Sequence, residues 1–439
     1  MTFLRRGALA VFLLLGALAA GVRAAGAQDT TWREGVRLRL DVRARNTRPG
    51  VLILPVSGVD GDSIRRILTR DLVHGDRTAV LDLAPEAVPP PNGNGTWNYP
   101  LYQNLGADVL VQVVPTSFGV QVTLHSVAER AVARANAFPL PSPSRTPDWR
   151  LAVHTIADDI EQIVTGVRGI SATRILYVSQ GRVWQIDSDG ANPTAITGDV
   201  RALSPTWHPA GGHMAYTSLT DAGARVVIRE VGGPTRTLAT GAGLAQSPAF
   251  SRPDGNTLVY SAGNENGMDL VAASPFGSEP PRRVSIGRGS DNMSPTFSHD
   301  GRRLAYTTNR LGRIDIFVSD ADGTNAELLL PFLEPAYRSD PDWSPDGRMI
   351  AFQMQFGGTF QLMTLNVLDR TVKQQTSSGV NENASFAPDS RHIVFTSTRS
   401  GVAQLWIMDT QSGTARQLTH GNSRARHAAW SPLLRSTRR

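Results

Sequence analysis

The sequence predicts an α/β N-terminal domain followed by an all-β six-bladed β-propeller, closed by a split blade to which the C-terminus adds a strand. Three observations predict it. First, the stretch "DPDWSPDGRMIAF" (Asp340 to Phe352) recurs as "SPTWHPAGGHMAYTS" from Ser204, "SPAFSRPDGNTLVYSA" from Ser247, "SPTFSHDGRRLAYTT" from Ser294, "NASFAPDSRHIVFTS" from Asn383 and "HAAWSPLL" from His427. Second, its aromatic falls at Trp207, Phe250, Phe297, Trp343, Phe386 and Trp430, with separations of 43, 47, 46, 43 and 44 residues. A period in the forties with several strands per unit marks a propeller rather than a helical solenoid. Third, "RILYVSQGRVWQIDSDGANPTAIT" (Arg174 to Thr197) has three strands and no motif strand before them, whereas the motif at Trp430 has nothing after it. The two fragments complete one sheet, which leaves no edge open.

From the N-terminus, Arg5 and Arg6, an apolar run from Ala8 to Ala20 and the small residues Ala25-Gly26-Ala27 have the three parts of a secretory signal. The run is shorter than the ~20 residues a spanning helix needs. Next come a buried strand "GVLILPV" (Gly50 to Val56) and a helix "DSIRRILTRDLV" that we expect Asp62 to cap, with Ile64, Ile67, Leu68 and Leu72 on one face. A short helix near Tyr102 precedes the strands "ADVLVQVV", "GVQVTLHSV" and "RAVARANAF". The Pro-rich "PLPSPSRTP" leads into a helix with Val153, Ile156, Ile160 and Ile163 as its apolar stripe. The expected division is 1–27 signal peptide, 28–170 α/β domain (Pro-rich linker and helix at 139–166), 171–432 propeller and 433–439 basic tail.

Within each repeat the grammar is four strands. In the unit from Ser294, "RLAYTTN", "RIDIFVSD" and "AELLL" follow the motif strand, and Gly301 and Gly323 supply turns. The Ser-Pro suits a strand start, where a missing N–H does little harm. Trp343, Pro345, Asp346 and Gly347 are read as building elements with no partner contact.

Composition narrows the chemistry. There is no Cys, which excludes disulfides, thiolate metal sites and a Cys nucleophile. Net charge is +6, and of 44 basic residues all but Lys373 are Arg. No nucleic-acid motif accompanies this charge, which reads as solvated surface or a preference for acidic partners. No G-x-S-x-G or H-E-x-x-H occurs, and His154, His208 and His299 read as core or turn residues. "DSDGAN" from Asp187 and "DADGTN" from Asp320 resemble half of a calcium loop, but Gly198 and Pro331 stand where the chelating Glu belongs. Both read as hairpin turns. No cofactor is expected, although a propeller channel can hold a cation.

The junction "AVHTIADDIEQIVTGVRG" followed by "TRILYVSQ", with the SPDG repeats after it, resembles the TolB family, periplasmic propeller proteins of the Tol-Pal envelope system. The resemblance implies a non-enzymatic, monomeric periplasmic adaptor without membrane insertion. It implies binding of the lipoprotein Pal by one propeller face and of TolA by the N-terminal segment, in support of outer-membrane integrity and constriction at division. The TolA segment would be Val36, Arg37, Leu38, Arg39, Leu40 and Asp41, which here follow an extra "QDTTWREG". The alternative from another class is a secreted propeller hydrolase or lyase with a metal in its channel.

In a four-stranded blade, the loop leading into the inner strand and the loop between strands two and three share one face, and the two other turns share the opposite one. The leading loops vary while the turns are regular, so specificity is expected on the leading-loop face. The residues expected to bind Pal there are Leu203, Ser204, Leu244, Gln246, Ser247, Asn292, Met293, Ser294, Arg310, Arg338, Asp340, Glu382, Asn383, Arg399, Arg426 and His427. Arg310, Arg338, Arg399, Arg424 and Arg426 would form a positive rim. The three-part signal predicts cleavage after Ala27. N-terminal sequencing of the exported protein should therefore begin at Gln28, and a product beginning at Met1 would overturn this.

Overall fold

The computed structural model describes residues 33–34 and 48–434, except residues 94, 199–200, 239–242, 265, 286–288, 332 and 335. The signal segment, Val36 to Asp41 and the tail from residue 435 lie outside the described residues.

Six strands form the N-terminal sheet: β1 (Arg33–Glu34), β2 (Gly50–Ile53), β3 (Ala79–Val80), β4 (Val109–Thr116), β5 (Gly119–Ser126) and β6 (Ala131–Pro139), in the order β1-β6-β5-β4-β2-β3. Strand β2 is parallel to β3 and β4, while β4, β5 and β6 form an antiparallel meander. The helices are α1 (Gly61–His74), α2 (Tyr99–Asn104) and α3 (Pro147–Thr165). Ile64, Ile67, Leu68 and Leu72 of α1 and Val153, Ile156 and Ile160 of α3 bury one sheet face, over Val51, Ile53, Val109 and Val111. Tyr102 and Val88 cover Leu52, Leu54 and Leu110 on the other face. Strand β2 is thus buried on both sides, which is why it reads as a continuous apolar run.

One expectation is corrected. Helix α1 begins at Gly61 after Asp60, no side chain caps it, and Asp62 lies inside its first turn. A Cβ at Gly61 would lie 2.1 Å from the Val56 carbonyl, so glycine lets the chain enter the helix one residue early. Asp60 instead accepts from Arg145 Nε at 3.1 Å, and Asp62 favours the positive end of the helix dipole. Helix α3 has regular ends: Thr146 caps the Trp149 N–H, Pro147 opens the first turn, and Gly166 ends it at φ 79°.

The propeller has six four-stranded sheets. Their inner strands are Ala202–Trp207, Ala245–Phe250, Asn292–Phe297, Arg338–Trp343, Asn381–Phe386 and Arg426–Trp430, which define blades 1 to 6 in that order. In blade 6 the C-terminal strand pairs antiparallel with Arg174–Ser179, which confirms closure by a split blade. The motif aromatics are all buried and pack between blades. The Ser-Pro position is corrected: it lies inside the inner strand, at a register shift that recurs in every blade. The residue at the bulge has positive φ in all six, from Ser204 at 45° to Asn383 and His427 at 53°. The inner strand is an edge, so a proline just after the bulge removes no ladder bond. Gly347 (φ 76°) is needed because a Cβ there would lie 2.2 Å from Nδ1 of His299 in the preceding blade.

Helix α1 and the loop after it reach the turn face of blades 5 and 6. Arg77 Nη2 meets Asp389 Oδ2 at 2.8 Å, in the first turn of blade 5. Asp189, in the "DSDG" turn of blade 6, meets Arg70 and, at 2.5 Å, Arg150. His154 Nδ1 lies 2.6 Å from Asp71 Oδ2, with Nε2 3.6 Å from Asp189. Asp158 accepts the N–H groups of Ser171 (2.6 Å) and Ala172 (3.0 Å), fixing the chain where it leaves α3 for blade 6. Burial pushes Asp158 up to about 7, against those two donors, and burial with the charge of Asp158 pushes Glu161 up to about 8.

Two outcomes are expected. Deleting Arg424 to Arg439 removes the inner strand of blade 6 and the burial of Trp430, about 3–5 kcal/mol for a large aromatic. The truncated chain should aggregate or be readily proteolysed; melting like the full chain would contradict the closure. Second, both raised carboxyls bind protons more tightly in the folded state. Their contribution is complete below their unfolded pKa near 4 and is lost as pH rises through about 7 to 8. Asp158→Asn should therefore flatten the fall in melting temperature between pH 5.5 and 8, while leaving one of the two N–H groups unpaired at a cost of about 1–3 kcal/mol. An unchanged pH profile would count against Asp158 as the source.

Candidate partner-binding face and channel

Six inner strands surround a channel of about 690 Å³. The bulge residues Ser204, Ser247, Ser294, Asp340, Asn383 and His427 all line it, so the structure gathers into one ring residues that lie some 45 positions apart in the chain. Three hydroxyls stand on blades 1 to 3, and a carboxyl, an amide and an imidazole on blades 4 to 6. Ser294 Oγ donates to Asp340 Oδ1 at 2.6 Å. Burial pushes Asp340 up, opposed by that hydroxyl and by His427, and burial holds His427 below the ordinary imidazole value. Further along the channel, Asp342 accepts the Phe386 N–H at 2.7 Å; burial raises it and Arg252 opposes the rise. Towards the turn face the lining becomes Pro209, Pro253, His299, Pro345, Pro388 and Pro432.

The bulge is held from the preceding blade. The N–H of Ser247 donates to Thr217 Oγ1 (3.0 Å), that of Asp340 to Thr307 Oγ1 (3.0 Å) and that of Asn383 to Gln353 Oε1 (3.1 Å). These bonds spare buried N–H groups from going unpaired, and they set the left-handed backbone that an L-residue otherwise resists.

Around the mouth, Leu203, Gln246, Met293, Glu382 and Arg426 precede the ring residues and are half-buried, and Leu244 is exposed. Gln246 Nε2 touches the sulfurs of Met268 (3.5 Å) and Met293 (3.9 Å). Four expected site residues prove to be committed to the fold. Arg338 is 1% exposed and grips both oxygens of Asp315, at 3.2 and 3.1 Å, so it contributes nothing to a rim. Asn292 is fully buried: it donates to the Met268 carbonyl and accepts from Arg310. Arg310 lies over the rings of Tyr306 and Phe317, and Arg399 over Phe395 and Trp406 while donating to Asn381. Cation–π stacking on their own blades holds both guanidiniums in place. The positive rim is thereby reduced to Arg424 and Arg426.

Sequence reading left out of the site the exposed apolar residues of this face, Leu311, Tyr337 and Phe356, with Tyr337 edge-on to Phe360 at 5.2 Å. They lie in the loops that the repeat does not conserve between blades, which is the signal that could have found them. It also passed over Asp189, because the "DSDG" turn looked interchangeable with "DADG". The groupings Asp71–His154–Asp189 and Asp76–His392–Asp409 bring metal-ligating atoms together. Arg70 and Arg150 already neutralise Asp189, however, and Arg391 pairs with Asp409, so both are ion-pair networks of the domain junction.

Comparison with known proteins gives the family. The model of the TolB β-propeller domain matches residues 161–434. The Tol-Pal system protein TolB of Gluconobacter oxydans is 28% identical over 296 residues, 63% of this chain and 63% of that protein. The TolB of Haemophilus influenzae (strain 86-028NP) is 26% identical over 219 residues, 46% of this chain and 50% of that one, so the chain spans about half the length of such curated relatives. The crystal structure of TolB from Acinetobacter baumannii superposes with a TM-score of 0.76 at 22% identity, covering 88% of this chain and 97% of that one, which shows a shared fold. The chain belongs to the TolB β-propeller family.

Proposed function

We propose that this protein is a non-enzymatic periplasmic adaptor of the Tol-Pal system. It captures the lipoprotein Pal on the leading-loop face of the propeller and TolA through the N-terminal segment around Val36 to Asp41, and it supports outer-membrane integrity and constriction at division. One observation carries the reading of the Pal face. The N-terminal domain rests on the turn face, through Asp189 and Asp389, and the variable loops lie on the opposite face together with exposed Leu244, Leu311, Tyr337 and Phe356. Exposed apolar side chains on one face of three successive blades support reading that face as a protein-binding surface. The names of the TolB relatives support the system, and the expected secretory signal supports the compartment.

A channel metal enzyme is the less supported reading. Asp340 is held by a hydroxyl and Asp342 by a backbone N–H, and His427 is the one imidazole of the ring. Catalytic metal sites need several ligands converging on one point.

Met293→Glu, or Arg426→Glu combined with Arg424→Glu, should weaken Pal capture at least tenfold in a titration with purified Pal, with the melting temperature nearly unchanged. Asp322→Arg, on the exposed turn face of blade 3, should leave capture as it is. If Asp322→Arg abolishes capture and the first changes do not, the face is inverted. Arg338→Glu is unsuitable for this test, because it would strand Asp315 in the interior.

A further inference from the structure

The ring of six bulge residues carries one acid whose charge the fold does not answer. Asp340 is held in the channel wall by burial, its Oδ1 takes one neutral hydroxyl, and among the described residues it makes no ion pair. His427, the other titratable member of the ring, lies in surroundings that favour its neutral form. The neighbouring acid in the channel differs: Asp342 has a backbone N–H at 2.7 Å and the charge of Arg252 facing it. Asp315, one blade earlier, is gripped by Arg338. Of these three, Asp340 alone lacks a cation.

Asp340 is also reachable. It is the third residue of its inner strand, one position below the mouth, and it borders the 690 Å³ channel. Met293 and Gln246 directly precede the ring residues Ser294 and Ser247 and touch each other at 3.9 Å outside the channel lining, so the surface beside the ring offers thioether and methylene groups. A lone carboxylate just inside a mouth bordered by such surface suits one kind of group: a long aliphatic stem ending in a positive charge. A bare metal ion fits poorly, because one carboxylate and one hydroxyl fall short of the six or more oxygens that calcium takes.

We propose that Asp340 receives a cationic side chain, the ammonium of a lysine or the guanidinium of an arginine, inserted into the channel mouth by the protein that docks on the leading-loop face. The stem lies along Met293 and Gln246, and the head pairs with the Asp340 carboxylate and the nearby Ser294 and Asn383 side chains. This rests on the reading above that Pal docks on this face. It also adds a feature to that reading: the outer rim attracts acids through Arg424 and Arg426, while the channel selects one base. A partner must therefore present a basic side chain within an otherwise acidic contact surface.

The test is a double-mutant cycle by calorimetric titration with the full mature chain and purified Pal. Asp340→Asn keeps the shape and the acceptor for Ser294 and removes the charge; it should weaken binding at least tenfold and leave the melting temperature unchanged or raised. Each lysine and arginine of Pal is replaced by alanine in turn. One of them should lose a similar factor against the native chain and nothing further against Asp340→Asn. Asp340→Ser serves as a second variant should the first fail to fold. If Met293→Glu abolishes binding while Asp340→Asn binds as tightly as the native chain, this inference is overturned and the face assignment stands. It is overturned equally if no basic residue of Pal couples to Asp340. If Met293→Glu leaves binding intact, the face assignment itself fails and the inference falls with it.

Discussion

An inner strand of a propeller is an edge strand, and one row of its N–H groups has no strand to pair with. Left unanswered, that row would invite further strands or cost the desolvation of each group. Here the bulges of blades 2, 4 and 5 turn that N–H towards the preceding blade, where Thr217, Thr307 and Gln353 accept it. A second layer repeats the device, with Thr296, Asp342 and Ser385 accepting from the N–H groups of Trp343, Phe386 and Trp430. Blades joined in this way have a defined angle and spacing, and the channel follows from it.

That frame explains why the motif can be so regular while the loops and ring side chains around it vary. The aromatic, the Asp and the Gly of the SPDG turn are all used internally: Trp343 Nε1 donates to the Gly347 carbonyl, and Asp346 accepts from Ser344 Oγ and the Arg348 N–H. What the frame leaves free is the side chain at each bulge and the loop before it. The bulge directs six side chains into the channel at one level, so a substitution there changes the ring without disturbing the sheet ladder. The same logic accounts for the arginines that proved structural. Arg310 and Arg399 occupy matching places in blades 3 and 5 and bond matching asparagines, which makes them part of the repeat.

The junction between the domains is held by charge. Asp189 and Asp389 come from turns of two blades, and Arg70, Arg77, Arg150 and His154 come from α1, the loop after it and α3. Such pairs hold a geometry more than they add stability, because the desolvation of each ion offsets much of the attraction. Their arrangement places the N-terminal domain over the turn face of blades 5 and 6 and leaves the leading-loop face uncovered by it.

The blade count, the strand that closes the ring and the buried aromatics were legible in the sequence alone. They depend on spacing and alternation, which are local and repeated, so every unit reports the same answer. The apolar stripes of α1 and α3 were legible for the same reason. Burial and pairing across blades were not. Arg338, Arg310 and Arg399 look alike as arginines in variable loops, and only the folded sheets reveal that one meets Asp315 of the preceding blade and two stack on aromatic rings of their own blades. Asp189 and Asp322 share one turn motif, yet the first is buried beneath the N-terminal domain and the second is exposed to solvent. A periodic sequence determines what every unit has in common, because each copy obeys the same local sterics and hydrophobic pattern. What distinguishes one copy from another is decided by the groups that closure of the ring and docking of the second domain bring beside it.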